Sequence, residues 1–191
     1  MVVSGLAGAG KTEFLAGLDR DGEQVLDLEA LARHRGSAFG AIGLGPQPSH
    51  AAFARAVSER VEAADPRRVL WVEDEGPFIG SVGVPPWLAG AIARAPIVEL
   101  RATFAARVAR LNATYGAAAP QELLHALARS RRRLGARCTD AAQACVRDGD
   151  VEGAIALVLP WFDHAYRRRV AAYGPREVLA VVEERRNVAA R

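Results

Sequence analysis

Eight consecutive residues constrain this chain more than any other part of it: Gly5-Leu6-Ala7-Gly8-Ala9-Gly10-Lys11-Thr12. They match G-x-x-x-x-G-K-[ST] at every defined position. The glycines let the backbone curl so that its N–H groups point inward at phosphate oxygens. Lys11 then reaches the outer phosphates, and the Thr12 hydroxyl is placed to hold Mg²⁺. Such a loop needs an apolar strand before it and a helix after it, whose dipole adds to the attraction for an anion. Met1–Ser4 reads as that strand and Lys11–Leu18 as that helix. Gly5, Gly8, Ala9, Gly10, Lys11 and Thr12 are therefore the candidate cofactor-binding residues, with Lys11 also a catalytic candidate. The basic residues sharpen this reading. Of the 25, 24 are arginine, and the single lysine is Lys11, where a compact ammonium on a flexible stem is wanted.

With 191 residues, the chain is long enough for one α/β domain with a full core. Half of the residues are hydrophobic and a quarter charged, a globular balance. No apolar run reaches the roughly 20 residues of a membrane span, and the start is not a signal peptide. A cytoplasmic protein with no membrane partner is expected. Cys138 and Cys145 lie seven apart, two helical turns on one face and too far for a disulfide. Charge is uneven: residues 1–75 hold 8 basic and 12 acidic side chains, while residues 94–137 hold 9 arginines against Glu99 and Glu122. The second half suits an anionic partner, or is a solvated arginine-rich face.

Further strands are expected at Val25–Leu28, Val69–Val72, Ile97–Leu100 and Val178–Val182, the last followed by a helical tail. Residues 34–49 read as a glycine- and proline-containing loop, Ser49 as the N-cap of a helix to about Ala64, and Pro85–Arg94 as a short helix. From Thr103 to about Tyr173 the pattern is helical, broken near Gly116–Pro120, Gly135 and Gly149. Strands alternating with helices predict an α/β, P-loop NTPase-like fold: a mainly parallel sheet, helices on both faces and a helical C-terminal insertion. Residues 1–191 are read as a single P-loop domain, its helical subregion about 103–173. Trp71, Trp87 and Trp161 are assigned to the core.

Val72 is followed by Glu73-Asp74-Glu75. In P-loop proteins an acidic residue at the end of a buried strand orders the magnesium shell. Thr12, Glu73 and Asp74 are thus the candidate metal residues, and Asp74 and Glu75 are catalytic candidates, Glu75 as the group that polarises a nucleophile.

After the second strand comes Leu28-Glu29-Ala30-Leu31-Ala32-Arg33-His34-Arg35-Gly36-Ser37-Ala38-Phe39-Gly40. This string resembles the bacterial tRNA 2-selenouridine synthase family, whose P-loop domain carries Leu-Glu-x-Leu-Ala-x-His-Arg-Gly-Ser-x-Phe-Gly. Gln47-Pro48-Ser49, the acidic triplet with Ile79-Gly80, and Leu134-Gly135 are similar to it too. The resemblance runs from about Val3 to Tyr166. It implies a tRNA modified at a wobble 2-thiouridine, a geranylated intermediate and selenophosphate as selenium donor. The phosphate ligand is then ATP or geranyl diphosphate, with Mg²⁺, and the loop can stabilise pyrophosphate as a leaving group. Family members usually carry a rhodanese-like domain with a chalcogen-handling cysteine before the P-loop domain. Neither Cys138 nor Cys145 matches such a motif, so a separate rhodanese-like partner is expected. A second departure is Gly76-Pro77-Phe78, where the family typically has polar and basic residues; a phosphate or RNA contact of the family is expected to be missing there.

His34, Arg35 and Ser37 lie past the C-terminal end of a strand, where open α/β sheets bind ligands. Arg35 and Ser37 are cofactor-binding candidates and His34 a proton-transfer candidate; loop-pinning hydrogen bonds are the plain alternative. Arg129, Arg132 and Arg133 share one helix face. They fit a tRNA backbone, a lid over phosphates, or a solvated face. A small-molecule kinase or ATPase of the P-loop class remains the alternative function.

Overall fold

The sheet is built from short apolar runs whose alternate side chains point to opposite faces. The computed structural model describes residues 1–184. In chain order these form β1 (Val2–Ser4), α1 (Lys11–Arg20), β2 (Gln24–Leu26), α2 (Leu28–Ala32), α3 (His50–Glu62) and β3 (Leu70–Glu73). Next come β4 (Phe78–Ile79), β5 (Val82–Gly83), α4 (Pro86–Arg94) and β6 (Ile97–Arg101). The chain continues through α5 (Phe104–Tyr115), α6 (Pro120–Leu134), α7 (Ala136–Arg147), α8 (Val151–Ala172) and β7 (Val178–Glu183). Five strands make a parallel sheet in the order β2-β3-β1-β6-β7, and β4 and β5 form a separate antiparallel pair. This is the expected P-loop NTPase-like α/β architecture.

Register explains the two-faced burial. Val2 pairs with Val72 and Ile97, and Leu26 with Val72. That face packs on α2, α3 and α4 through Leu28, Phe53, Val57, Leu88 and Ile92. Val3, Val98 and Leu100 face the other way, onto Leu15, Phe14 and Leu18 of α1. A third cluster belongs to the helical part, where Leu123, Leu127, Ala142, Val146 and Val158 close the core of α5–α8.

Local chemistry sets the helix starts. Ser49, Thr103 and Asp150 each accept a hydrogen bond from a first-turn amide, as N-caps do. The same chemistry corrects the expected strand Val25–Leu28. Asp27 accepts from Ala30 N at 2.8 Å and caps α2, so the strand stops at Leu26 and Leu28 begins a helix. Trp87 is a second correction. It is 50% exposed, because Leu88 and Ile92 occupy the inward face of α4 and the preceding position points away. Trp71 and Trp161 pack against the cores as expected. Cys138 and Cys145 are free and partly buried against the helical core. Among the described residues no helix is long and apolar enough to cross a membrane. The expected tail helix falls on residues 185–191, outside the described residues.

Candidate phosphate-binding site

The glycine loop between β1 and α1 takes its shape from backbone freedom and from arginines behind it. Gly8 has φ +76°, and a Cβ there would stand 2.8 Å from the Arg107 carbonyl oxygen, so only glycine fits. The Arg107 guanidinium donates to Ala7 O at 3.1 Å and forms two 2.7 Å bonds to the Asp163 carboxylate. Both side chains are over nine-tenths buried. Arg110 donates to Gly8 O at 2.6 Å and pairs with Glu184 at 2.7 Å. These cations hold loop carbonyls. The Lys11 ammonium donates to Gly5 O at 2.8 Å and lies 5.9 Å from the centroid of the Tyr166 ring.

Asp74, expected at a metal shell, sits in a buried knot. Its carboxylate accepts from Arg176 at 2.7 Å, Arg169 at 3.3 Å, and the hydroxyls of Ser4 and Tyr166 at 3.0 Å each. Tyr166 Oη also accepts from Gly5 N at 2.9 Å. Burial and the Asp74 charge push its pKa up to about 12, so the phenol keeps its proton. None of Tyr166, Arg169, Arg176 or Arg107 was a sequence candidate. The available signal was Tyr166 and Arg169 on one face of α8, and nothing local ties that face to a loop some 160 residues earlier.

Three glutamates gather near the cradle, two of them, Glu29 and Glu75, within reach of the Lys11 charge. A Cβ on Gly36 would lie 2.9 Å from both Glu29 Oε1 and Glu75 Oε2. Glu73 accepts from Leu28 N at 3.0 Å through one oxygen, while its other is buried without a partner among the described residues. Burial, with the neighbouring carboxylates adding, pushes Glu29 up to about 8 and Glu73 up to about 9; burial raises Glu75 as well. Because the folded pKa of Glu73 exceeds its ordinary 4.5, its protonated form supports the fold fully below about 4.5, and that support is lost as pH rises through about 9. Glu73→Gln, which keeps the Leu28 bond without the charge, is expected to unfold at a higher temperature than the native chain at pH 9 and at the same temperature near pH 4.5. Thermal unfolding across that range checks it, and a pH-independent offset would refute the assignment.

The candidates of the His-Arg-Gly-Ser string converge on the same place. His34 is buried between Gly40 and Gly80, with Nδ1 unpartnered among the described residues. Burial lowers its pKa, and Arg129 and Arg35 lower it further. Arg35 donates to Ile42 O at 2.7 Å, and Ser37 Oγ accepts from Phe39 N at 3.2 Å. Thus two of these side chains pin their own loop while lining the site. The cradle, Glu29, His34, Arg35, Ser37, Glu73, Asp74 and Glu75 line one cleft of about 1100 Å³, together with Phe78, Tyr166, Arg169 and Arg129, Arg132 and Arg133. The arginine cluster is exposed yet shares the cleft with the cradle, so it is not remote from it. Arg169 reaches this cleft from the Asp74 knot. A smaller apolar cavity of about 60 Å³ lies in the helical core. Ala7, Ser37, Leu111, Tyr115 and Phe162 are walls of both spaces.

Fold and site together define a P-loop NTPase-like domain whose helical part closes over the phosphate loop. The family model described as tRNA 2-selenouridine synthase AAA domain matches residues 1–152, and the chain belongs to that family. The tRNA 2-selenouridine synthases of Salmonella newport (strain SL254) and Salmonella heidelberg (strain SL476) are each 34% identical to it, across 87% of this chain and 53% of theirs. The chain thus spans about half the length of the curated relatives it matches.

Proposed function

We propose that this chain is the P-loop component of a tRNA 2-thiouridine to 2-selenouridine modifying enzyme, and that its cradle holds geranyl diphosphate in preference to ATP. One observation carries the choice of ligand: the apolar cavity and the cleft that contains the cradle share walls at Ala7, Leu111, Tyr115 and Phe162. The diphosphate would lie on the loop amides and Lys11, and the hydrocarbon chain would lie along those apolar walls. The C–O bond to pyrophosphate breaks as a C–S bond forms to the 2-thio sulfur. The pyrophosphate leaves with the bonding pair, and the base gives up its N3 proton to the uncharged imidazole of His34, which lines the cleft. Loop amides and Lys11 stabilise the charge on the leaving group.

The donors present fit Mg²⁺, a cation that keeps several waters and takes one or two carboxylates besides phosphate oxygens. Thr12 and Glu75 would hold it, whereas Asp74 is neutralised by Arg169 and Arg176. Bound there, Mg²⁺ would supply charge neutralisation on the departing pyrophosphate. Neither cysteine lines the cleft, so the chalcogen steps are assigned to a rhodanese-like partner.

Calorimetry with geranyl diphosphate, inorganic pyrophosphate and ATP, each with Mg²⁺, tests the ligand. Each buried methylene contributes about 0.8 kcal/mol, so geranyl diphosphate is expected to bind more than about tenfold tighter than pyrophosphate. Equal affinity for those two, with ATP tightest, would instead favour a kinase or ATPase.

A further inference from the structure

Phe78 has the most exposed large hydrophobic side chain among the described residues, at 62%. A single exposed hydrophobe is ordinary. The support beneath this one is not. The β4–β5 hairpin has two residues a side, too few to be stable alone, but it is braced from two directions. The Gln47 carboxamide donates to Ala32 O and Ile79 O at 3.0 and 2.9 Å, and accepts from Ser81 N and Ser81 Oγ at 2.8 and 3.0 Å. His50 Nδ1 accepts from Gly83 N at 3.0 Å. The phenyl ring lies against Gly83, its cross-strand partner, where a Cβ would stand 3.5 Å from Phe78 Cε1. One part of the ring is therefore seated on backbone and the rest is open.

The ring lines the same cleft as Arg129, Arg132 and Arg133. Among the described residues these three make no ion pair, unlike Arg131, which is bonded to Asp140. An aromatic ring on a braced hairpin, in one cleft with guanidinium groups that make no ion pair among the described residues, is the combination that binds a single nucleic-acid strand: the cations follow the backbone and the ring takes one base.

We infer that Phe78 is a stacking platform for an unpaired base of the RNA strand that enters this cleft. The inference rests on the RNA substrate proposed above and adds how this chain, with Gly76-Pro77-Phe78 after its acidic triplet, grips it. Stacking releases no counterions, whereas a phosphate contact does, so the two contributions separate in a salt series.

The experiment measures fluorescence anisotropy of a labelled anticodon stem-loop carrying 2-thiouridine at the wobble position. It compares the native chain with Phe78→Ala, Phe78→Tyr and Arg132→Ala from low to moderate salt. Phe78→Ala is expected to weaken binding about tenfold at every salt concentration without changing the slope. Phe78→Tyr should stay within about twofold, because the stacking face remains. Arg132→Ala should flatten the slope by up to about one unit. Geranyl diphosphate affinity should be unchanged in Phe78→Ala. If Arg132→Ala weakens binding and Phe78→Ala does not, the platform is overturned while the RNA reading stands. If Phe78→Ala loses geranyl diphosphate and keeps RNA, the ring serves the small ligand and the inference fails. Absence of stem-loop binding by the native chain would overturn both.

Discussion

Asp163→Ala is expected to destabilise the fold by roughly 3–5 kcal/mol, because it strands the buried Arg107 guanidinium without its carboxylate. For a chain of this size that corresponds to a fall of roughly 10 °C in the unfolding midpoint. The pair bridges α5 and α8, and Arg107 also donates to Ala7 O. Loss of stability should therefore be accompanied by loss of ligand affinity at the cradle. The double variant Arg107→Met with Asp163→Leu separates the two effects. Apolar side chains of similar volume should restore much of the stability, but nothing then holds the Ala7 carbonyl. Thermal unfolding together with calorimetry reads both quantities. A midpoint within about 2 °C of the native value in Asp163→Ala would show that the ion pair is not what holds α5 to α8.

Lys11→Ala is expected to lower geranyl diphosphate affinity about a hundredfold, the range of one or two charge-assisted hydrogen bonds, while the unfolding midpoint moves only slightly. Among the described residues the ammonium is bonded only to Gly5 O, and it is half-buried in the cradle, so its removal opens no cavity in the core. Its charge also opposes the upward shift of Glu29 and Glu75, and those two carboxylates should hold their protons more firmly in the variant. Unchanged affinity for both geranyl diphosphate and ATP would sink the cradle assignment.

The parts of the site legible in the sequence are those whose chemistry is local. The cradle is eight contiguous residues with a fixed spacing. Ser49 and Thr103 announce helices through a side chain that reaches only three residues on. The sheet was readable because Val2, Val72 and Ile97 sit in short apolar runs that fit a strand covered on both faces. What the sequence hid depends on distance or on competition between local preferences. Tyr166 and Arg169 act on a loop and a strand end that are remote in the chain, and no spacing rule links them. Glu29 lies within the family string, but its carboxylate matters because it meets Glu75 across Gly36. The short helix α2 was masked by Val-Leu-Asp-Leu, a strand-like pattern in which the capping preference of Asp27 prevailed. The bracing of the β4–β5 hairpin by Gln47 and His50 likewise joins residues more than 30 positions apart.

The tether from Tyr166 Oη to Gly5 N has a consequence for how the protein is made. On the ribosome β1 and its glycine loop emerge well before the groups that buttress the loop: Arg107 and Arg110 with α5, then Asp163 and Tyr166 with α8. A nascent chain stalled anywhere before α8 carries the whole phosphate motif and lacks the phenol, the buried carboxylate and the guanidinium groups that close on Asp74. Ligand competence is thus acquired only once Tyr166 of α8 has emerged, 161 residues after Gly5 of the motif that names it.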